Sequence, residues 1–239
     1  MRFKDIHIGQ LTTAPLKGGS VSSTGALRGS GTLILFGLAL AIALVAVLEG
    51  LGSLPLPYDM ALVDRALPRL FRLHMIASGI ALALIPFVLI VRRNATWHRP
   101  LGWITAATIA VGGVTALPVS IASSSPALAR AGLFTHGVVW LILLVIGVSA
   151  IRMGRREDHM RCMVAMCAVA SGALWLRIGT ALAAAMELPP NEAYVVLCWL
   201  VWLGPLLLIG CIVRRGHLGR PHRGSVAYRP HQSRSLHAR

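Results

Sequence analysis

Six stretches of roughly twenty residues, each almost free of charge, constrain this chain more than any other feature. They fall at 32–52, 70–91, 101–122, 132–151, 162–185 and 193–213. Each matches the ~20 apolar residues that a helix needs to cross the hydrocarbon of a bilayer. The runs are continuously apolar rather than alternating, which argues against the strands of a membrane barrel. In lipid a backbone must satisfy its own hydrogen bonds, so runs of this kind become helices. Charged residues make up 13 % of the chain, about half the usual share of a soluble domain. The first run is too long and too far from Met1 for a cleaved signal peptide. The expected fold is all-α: a polytopic membrane bundle of six transmembrane helices, with Gly112, Gly113, Gly172 and Gly179 allowing close helix approach.

A net charge of +15 would suggest nucleic acid in a soluble protein. Here the basic residues sit in tails and short connections, and the interleaved aromatic-basic pattern of nucleic-acid binders is absent, so no nucleic-acid partner is expected. Eighteen arginines and lysines lie in the N-terminal tail, the connections 92–99 and 152–161, and the C-terminal tail. Four lie on the other side: Arg65, Arg69, Arg72 and Arg130. The positive-inside rule then predicts an inner-membrane protein with both termini cytoplasmic. Residues 1–31 and 214–239 read as disordered basic cytoplasmic tails around a transmembrane domain at 32–213. The four cysteines lie within apolar runs and form no C-x-x-C pair, so they read as buried thiols.

Outside the tails stand four histidines, His74, His98, His136 and His159, one near the start of each of the second to fifth runs. His74 and His136 are 62 residues apart, and His98 and His159 are 61 apart. This spacing reads as a duplicated helical hairpin, the second and third spans repeated as the fourth and fifth. Such a parallel repeat would set equivalent residues across a pseudo-twofold axis along the membrane normal. His74 would meet His136 in an outer layer, and His98 would meet His159 in an inner one. A single histidine near a span end is ordinarily an interfacial hydrogen-bonder. Four of them in two matched layers suit the paired axial ligands of two b-type haems per chain.

Haem carries anionic propionates, and Arg72 and Arg177 are the cations expected to compensate them in the outer layer. Arg177 follows His159 by 18 residues, five turns of an unbroken helix, which would put both on one face about 27 Å apart. An arginine inside a span requires a partner, and Glu49 at the outer end of the first span is a second candidate for that role. Hydrolytic zinc chemistry, phosphate loops and nucleophile-base pairs find no residues in the right pattern, so no catalytic residue is assigned.

The segments "LHMIASGIAL", "HRPLGW", "THGVVWLILLVIGVSAIR", "HMRCMVAM", "LWLRIG" and "AYVVLCWLVWLGPLLL", across residues 70–213, resemble the predicted bacterial membrane proteins of domain-of-unknown-function family 2306. That family's name implies no activity. The layout of helices and histidines also resembles the ascorbate-dependent di-haem cytochrome b family, although His159 lacks the glycine that follows His98 in "HRPLG". That resemblance implies ligation by His74 with His136 and by His98 with His159, and transmembrane electron transfer with a redox partner, a quinone or another small reductant. From another class, the residues equally allow a cofactor-free membrane protein with an assembly, sensing or transport role.

Overall fold

A computed structural model describes the backbone of residues 23–214 and the side chains of residues 31–211. It divides into two compact units, Met1–Gly37 and Leu38–Arg239. Of the first, the described part is helical from Ser23, so the last residues assigned to the N-terminal tail belong to a helix. The remainder of that tail, and the C-terminal tail after residue 214, lie outside the described residues.

The helices are α1 (Ser23–Gly50), α2 (Tyr58–Ala66), α3 (Pro68–Ile90), α4 (Ala95–Ala122), α5 (Ala127–Arg152), α6 (Arg156–Ala170), α7 (Gly172–Ala185) and α8 (Pro190–Arg214). Among the described residues no strand occurs. Six segments are long and apolar enough to span a bilayer: 31–50, 68–93, 95–122, 127–152, 156–185 and 190–211. The six-helix membrane bundle expected from the sequence is the observed fold.

Helix ends lie outside the apolar runs because local chemistry sets them. Asn94 caps α4 by accepting from the Thr96 amide at 3.1 Å, so the helix starts several residues before its apolar run. Pro68 occupies the first position of α3, where its missing N–H costs nothing. Gly154, at φ +75°, ends α5 with the left-handed residue of a Schellman turn; the Arg155 amide reaches back to the Ala150 carbonyl at 2.9 Å.

In the second unit α4 packs between α3 and α5, and α8 lies against α5, α6 and α7. Residues 38–50 of α1 lie on α3, where Gly79 meets the Ala43 carbonyl and Val47. The core gathers Ala81, Ile109, Trp140, Leu144, Met166, Val169 and Trp202 from five helices. The four glycines singled out in the sequence stand at close approaches: Gly112 on Ser78, Gly113 on Leu141, Gly172 on His136 and Gly179 on Leu197.

Two features depart from the expected six plain spans. The short α2 links the first and second spans, burying Val63 beside Phe71 and Met75. The fifth span is interrupted at Ser171, which divides it into α6 and α7. Helical phase is therefore not continuous from His159 to Arg177, and the five-turn count that put them on one face does not apply.

Candidate functional site

His74 stands in α3 and His136 in α5, helices that flank α4 rather than pack on one another. Both histidines line one cavity of about 590 Å³, within the roughly 300–1,000 Å³ usual for small-molecule sites. The cavity wall also includes Trp140, Leu82 and Val201, and it extends to loop residues Ser123, Ser124 and Ser125. Asp59 is the one lining residue with a full formal charge, and no lysine or arginine lines the cavity among the described residues.

Hydrogen bonds fix the tautomer of each ring, because a carbonyl can only accept. His74 Nδ1–H donates to the Gly112 carbonyl at 2.9 Å, leaving an electron pair on Nε2. His136 is reversed: its Nε2–H donates to the Val169 carbonyl at 3.0 Å, leaving the pair on Nδ1. The His136 ring also stacks on Trp202, with centroids 5.9 Å apart and planes 9° from parallel.

Val169 accepts this bond because α6 ends one residue later, within the span. The last carbonyls of a helix lack intrahelical partners. Here Cys167 receives the Ser171 amide at 3.0 Å, Ala168 receives the Ser171 hydroxyl at 2.6 Å, and Val169 receives His136. Ser171 and His136 together cap the break.

The other predicted site residues are placed differently. His98 and His159 each stand in the first turn of a helix, α4 and α6, and neither lines the cavity. His159 Nδ1–H donates to the Gly147 carbonyl at 2.9 Å, while His98 Nδ1 is buried without a hydrogen-bond partner among the described residues. Arg177 donates to Glu49 at 2.9 Å, which realises the second partner named from the sequence. Arg72 makes a bidentate pair with Asp64 at 3.0 and 3.2 Å. Neither arginine lines the cavity.

Haem is the group implied by the sequence pattern, and the donor set allows a test of fit. His74 has the posture of an iron ligand, one ring nitrogen anchored to a backbone carbonyl and the other bearing its pair. His136 fits in position but holds its Nε2 on Val169. Among the described residues no three His, Cys, Asp or Glu side chains cluster. Two imidazoles lining one cavity suit a macrocycle that brings its own four donors better than a bare ion, but no lysine or arginine among the described residues lines the cavity to meet the propionates of haem. The Val169 bond, the Trp202 stack and the Ser171 break were missed from the sequence. The adjacent Ser171 and Gly172 were the available signal, since Gly/Ser pairs are common kink sites.

The profile of a family described as predicted membrane proteins, DUF2306, matches residues 71–213, more than half of the chain. No curated protein matches. No solved structure matches either.

Proposed function

The chain belongs to the DUF2306 family of predicted membrane proteins, and from that premise we propose an integral membrane redox protein carrying b-type haem between His74 and His136. The observation that carries the reading is the shared cavity: two histidines from non-adjacent spans, 62 residues apart, face one space. When bound, haem supplies one-electron transfer, at a potential tuned by ligands and burial. His74 is the anchored ligand, oriented by Gly112. Trp140, Leu82 and Val201 give the cavity an apolar wall. The proposal is confined to the pair His74 and His136, which line a common cavity. The partner in electron transfer is a quinone or another small reductant, and the inner membrane with both termini cytoplasmic is the proposed setting.

The test is a dithionite-reduced spectrum of the purified, haem-supplied chain. Soret and alpha bands are expected, and these fall away in His74→Ala. A folded, stable, colourless protein would falsify the reading.

The bond from His136 to Val169 favours a second reading. In it the histidine only caps the broken span, and the protein is a cofactor-free assembly, sensing or transport component. The same spectrum separates the two.

A further inference from the structure

The lining of the histidine cavity disagrees with haem and suits a different occupant. Among the described residues no lysine or arginine lines it, so nothing there meets an anion. Its one full charge, Asp59, is exposed in the first turn of α2, where water and the helix dipole stabilise a carboxylate without a ligand. Against an apolar wall stand two electron pairs. His74 donates through Nδ1–H to Gly112 and keeps a pair on Nε2, while His136 donates through Nε2–H to Val169 and keeps one on Nδ1. Neither free nitrogen makes a hydrogen bond among the described residues. Nor is either walled in: the buried side-chain atoms without a partner there are His98 Nδ1, Arg130 Nε and Trp140 Nε1. Both pairs therefore open on the cavity that their rings line. Two hydroxyls of the lining are already engaged, Ser120 on the Leu117 carbonyl at 2.8 Å and Thr180 on the Leu176 carbonyl at 2.9 Å. Acceptors inside a membrane domain are costly without a donor, so these nitrogens call for a molecule that donates.

We propose that this cavity binds an uncharged hydroxylated aromatic molecule, of the phenol or quinol class, whose O–H donates to His74 Nε2 and leaves His136 Nδ1 for a second hydroxyl. This rests on the cofactor-free reading above, in which the protein senses or transports, and gives that reading its ligand class. The class follows from the wall. Bare acceptors select a donor, and the absence of lysine and arginine rejects carboxylates and phosphates. An ammonium ion would find its only counter-charge in the exposed Asp59. Phe71, Leu82 and Trp140 offer apolar surface to a ring. A phenol keeps its proton at neutral pH, with a pKa of about 10, so it enters uncharged.

Four naphthalenes are the probes, added to the purified, haem-free, full-length chain: 2-naphthol, 2-methoxynaphthalene, 2-naphthoate and 2-naphthylmethylammonium. Calorimetry reads affinity, and nitrogen NMR of labelled histidine reads the acceptors. 2-Naphthol should bind and shift the His74 Nε2 resonance. The methoxy compound keeps the ring and loses the donor, and should bind about tenfold more weakly or worse. Uptake by detergent would rank these two the other way, because a hydroxyl opposes transfer into an apolar phase. His74→Phe should erase the preference for 2-naphthol. Ala173→Phe, which adds a ring at an exposed lining position, should weaken 2-naphthol binding with both histidines retained. Equal or tighter binding of the methoxy compound, the naphthoate or the ammonium compound overturns the proposal. So does a 2-naphthol affinity unmoved by Ala173→Phe. A folded, colourless chain that binds none of the four overturns the proposal and leaves the cofactor-free reading standing. A reduced spectrum showing haem held through His74 and His136 overturns that reading and this proposal together.

Discussion

Arg177 donates to Glu49 across 2.9 Å, joining the fifth span to the first through residues 128 positions apart. Glu49 is buried, with 6 % of its side chain exposed, whereas Arg177 keeps 32 %. Removing one member leaves the other charge inside the membrane domain without a partner. Breaking a fully buried pair costs about 3–5 kcal/mol. The partial exposure of Arg177 lowers the expectation for Glu49→Ala to roughly 2 kcal/mol. The double substitution Glu49→Leu with Arg177→Met should recover most of the loss, and thermal unfolding in detergent measures both.

Arg72 is a contrasting case. Its pair with Asp64 fastens α2 to α3, and half of the Arg72 side chain is exposed. An exposed pair of this kind contributes little, because solvent screens it. Arg72→Gln should therefore shift the melting temperature little. It should leave haem content unchanged, because Arg72 does not line the histidine cavity. A large loss of haem in this variant would restore the role in propionate compensation expected from the sequence.

These two arginines mark where the sequence was legible. The spans were readable because hydrocarbon thickness imposes both length and composition, and Glu49 stood as the second candidate partner of Arg177 because few acids stand near the membrane. The pairing of His74 with His136 in one cavity was foreshadowed by their spacing. The break at Ser171 was not, since apolar composition is the same on either side of it, and without the break neither the role of Val169 nor the phase of Arg177 could be assigned. The short α2 escaped for the opposite reason: its nine residues are of balanced polarity and show no long apolar run. For His98 and His159, helix-start positions were legible, but the orientation of each ring depends on neighbours that no spacing specifies.

Gly112 should tolerate no side chain. A methyl there would stand 2.7 Å from Ser78 Oγ and 3.3 Å from the Ser78 amide nitrogen. Overpacking of this kind costs about 1–3 kcal/mol. In Gly112→Ala the Ser78 hydroxyl must turn aside and α3 and α4 must give by a few tenths of an ångström, which lengthens the bond from His74 to the Gly112 carbonyl. Both a lower melting temperature and weaker haem retention are expected. Unfolding by heat reports the first and the reduced spectrum the second.

The proposed topology, with both termini cytoplasmic, is checked without any cofactor. The connections at 92–94 and 153–155 hold arginines on one side, and Ser124 lies in the connection between α4 and α5 on the other. In a cysteine-free background, Arg93→Cys should react with an impermeant maleimide only after inner-membrane vesicles are inverted or cells are broken. Ser124→Cys should react in intact spheroplasts. The opposite pattern would turn the bundle over.

Gly172 isolates His136 from the fold around it. A methyl at this position would stand 3.0 Å from His136 Cε1, 3.4 Å from Nε2 and 3.4 Å from Trp202 Cβ. The imidazole cannot slide within its plane without losing Val169, nor move normal to it without disturbing Trp202. Gly172→Ala should thus push the ring off its stack and into the cavity, at a cost of about 1–3 kcal/mol. The near-ultraviolet circular dichroism of Trp202 should change. An unchanged tryptophan signal would mean that the neighbouring backbone absorbs the methyl, leaving His136 where it stands.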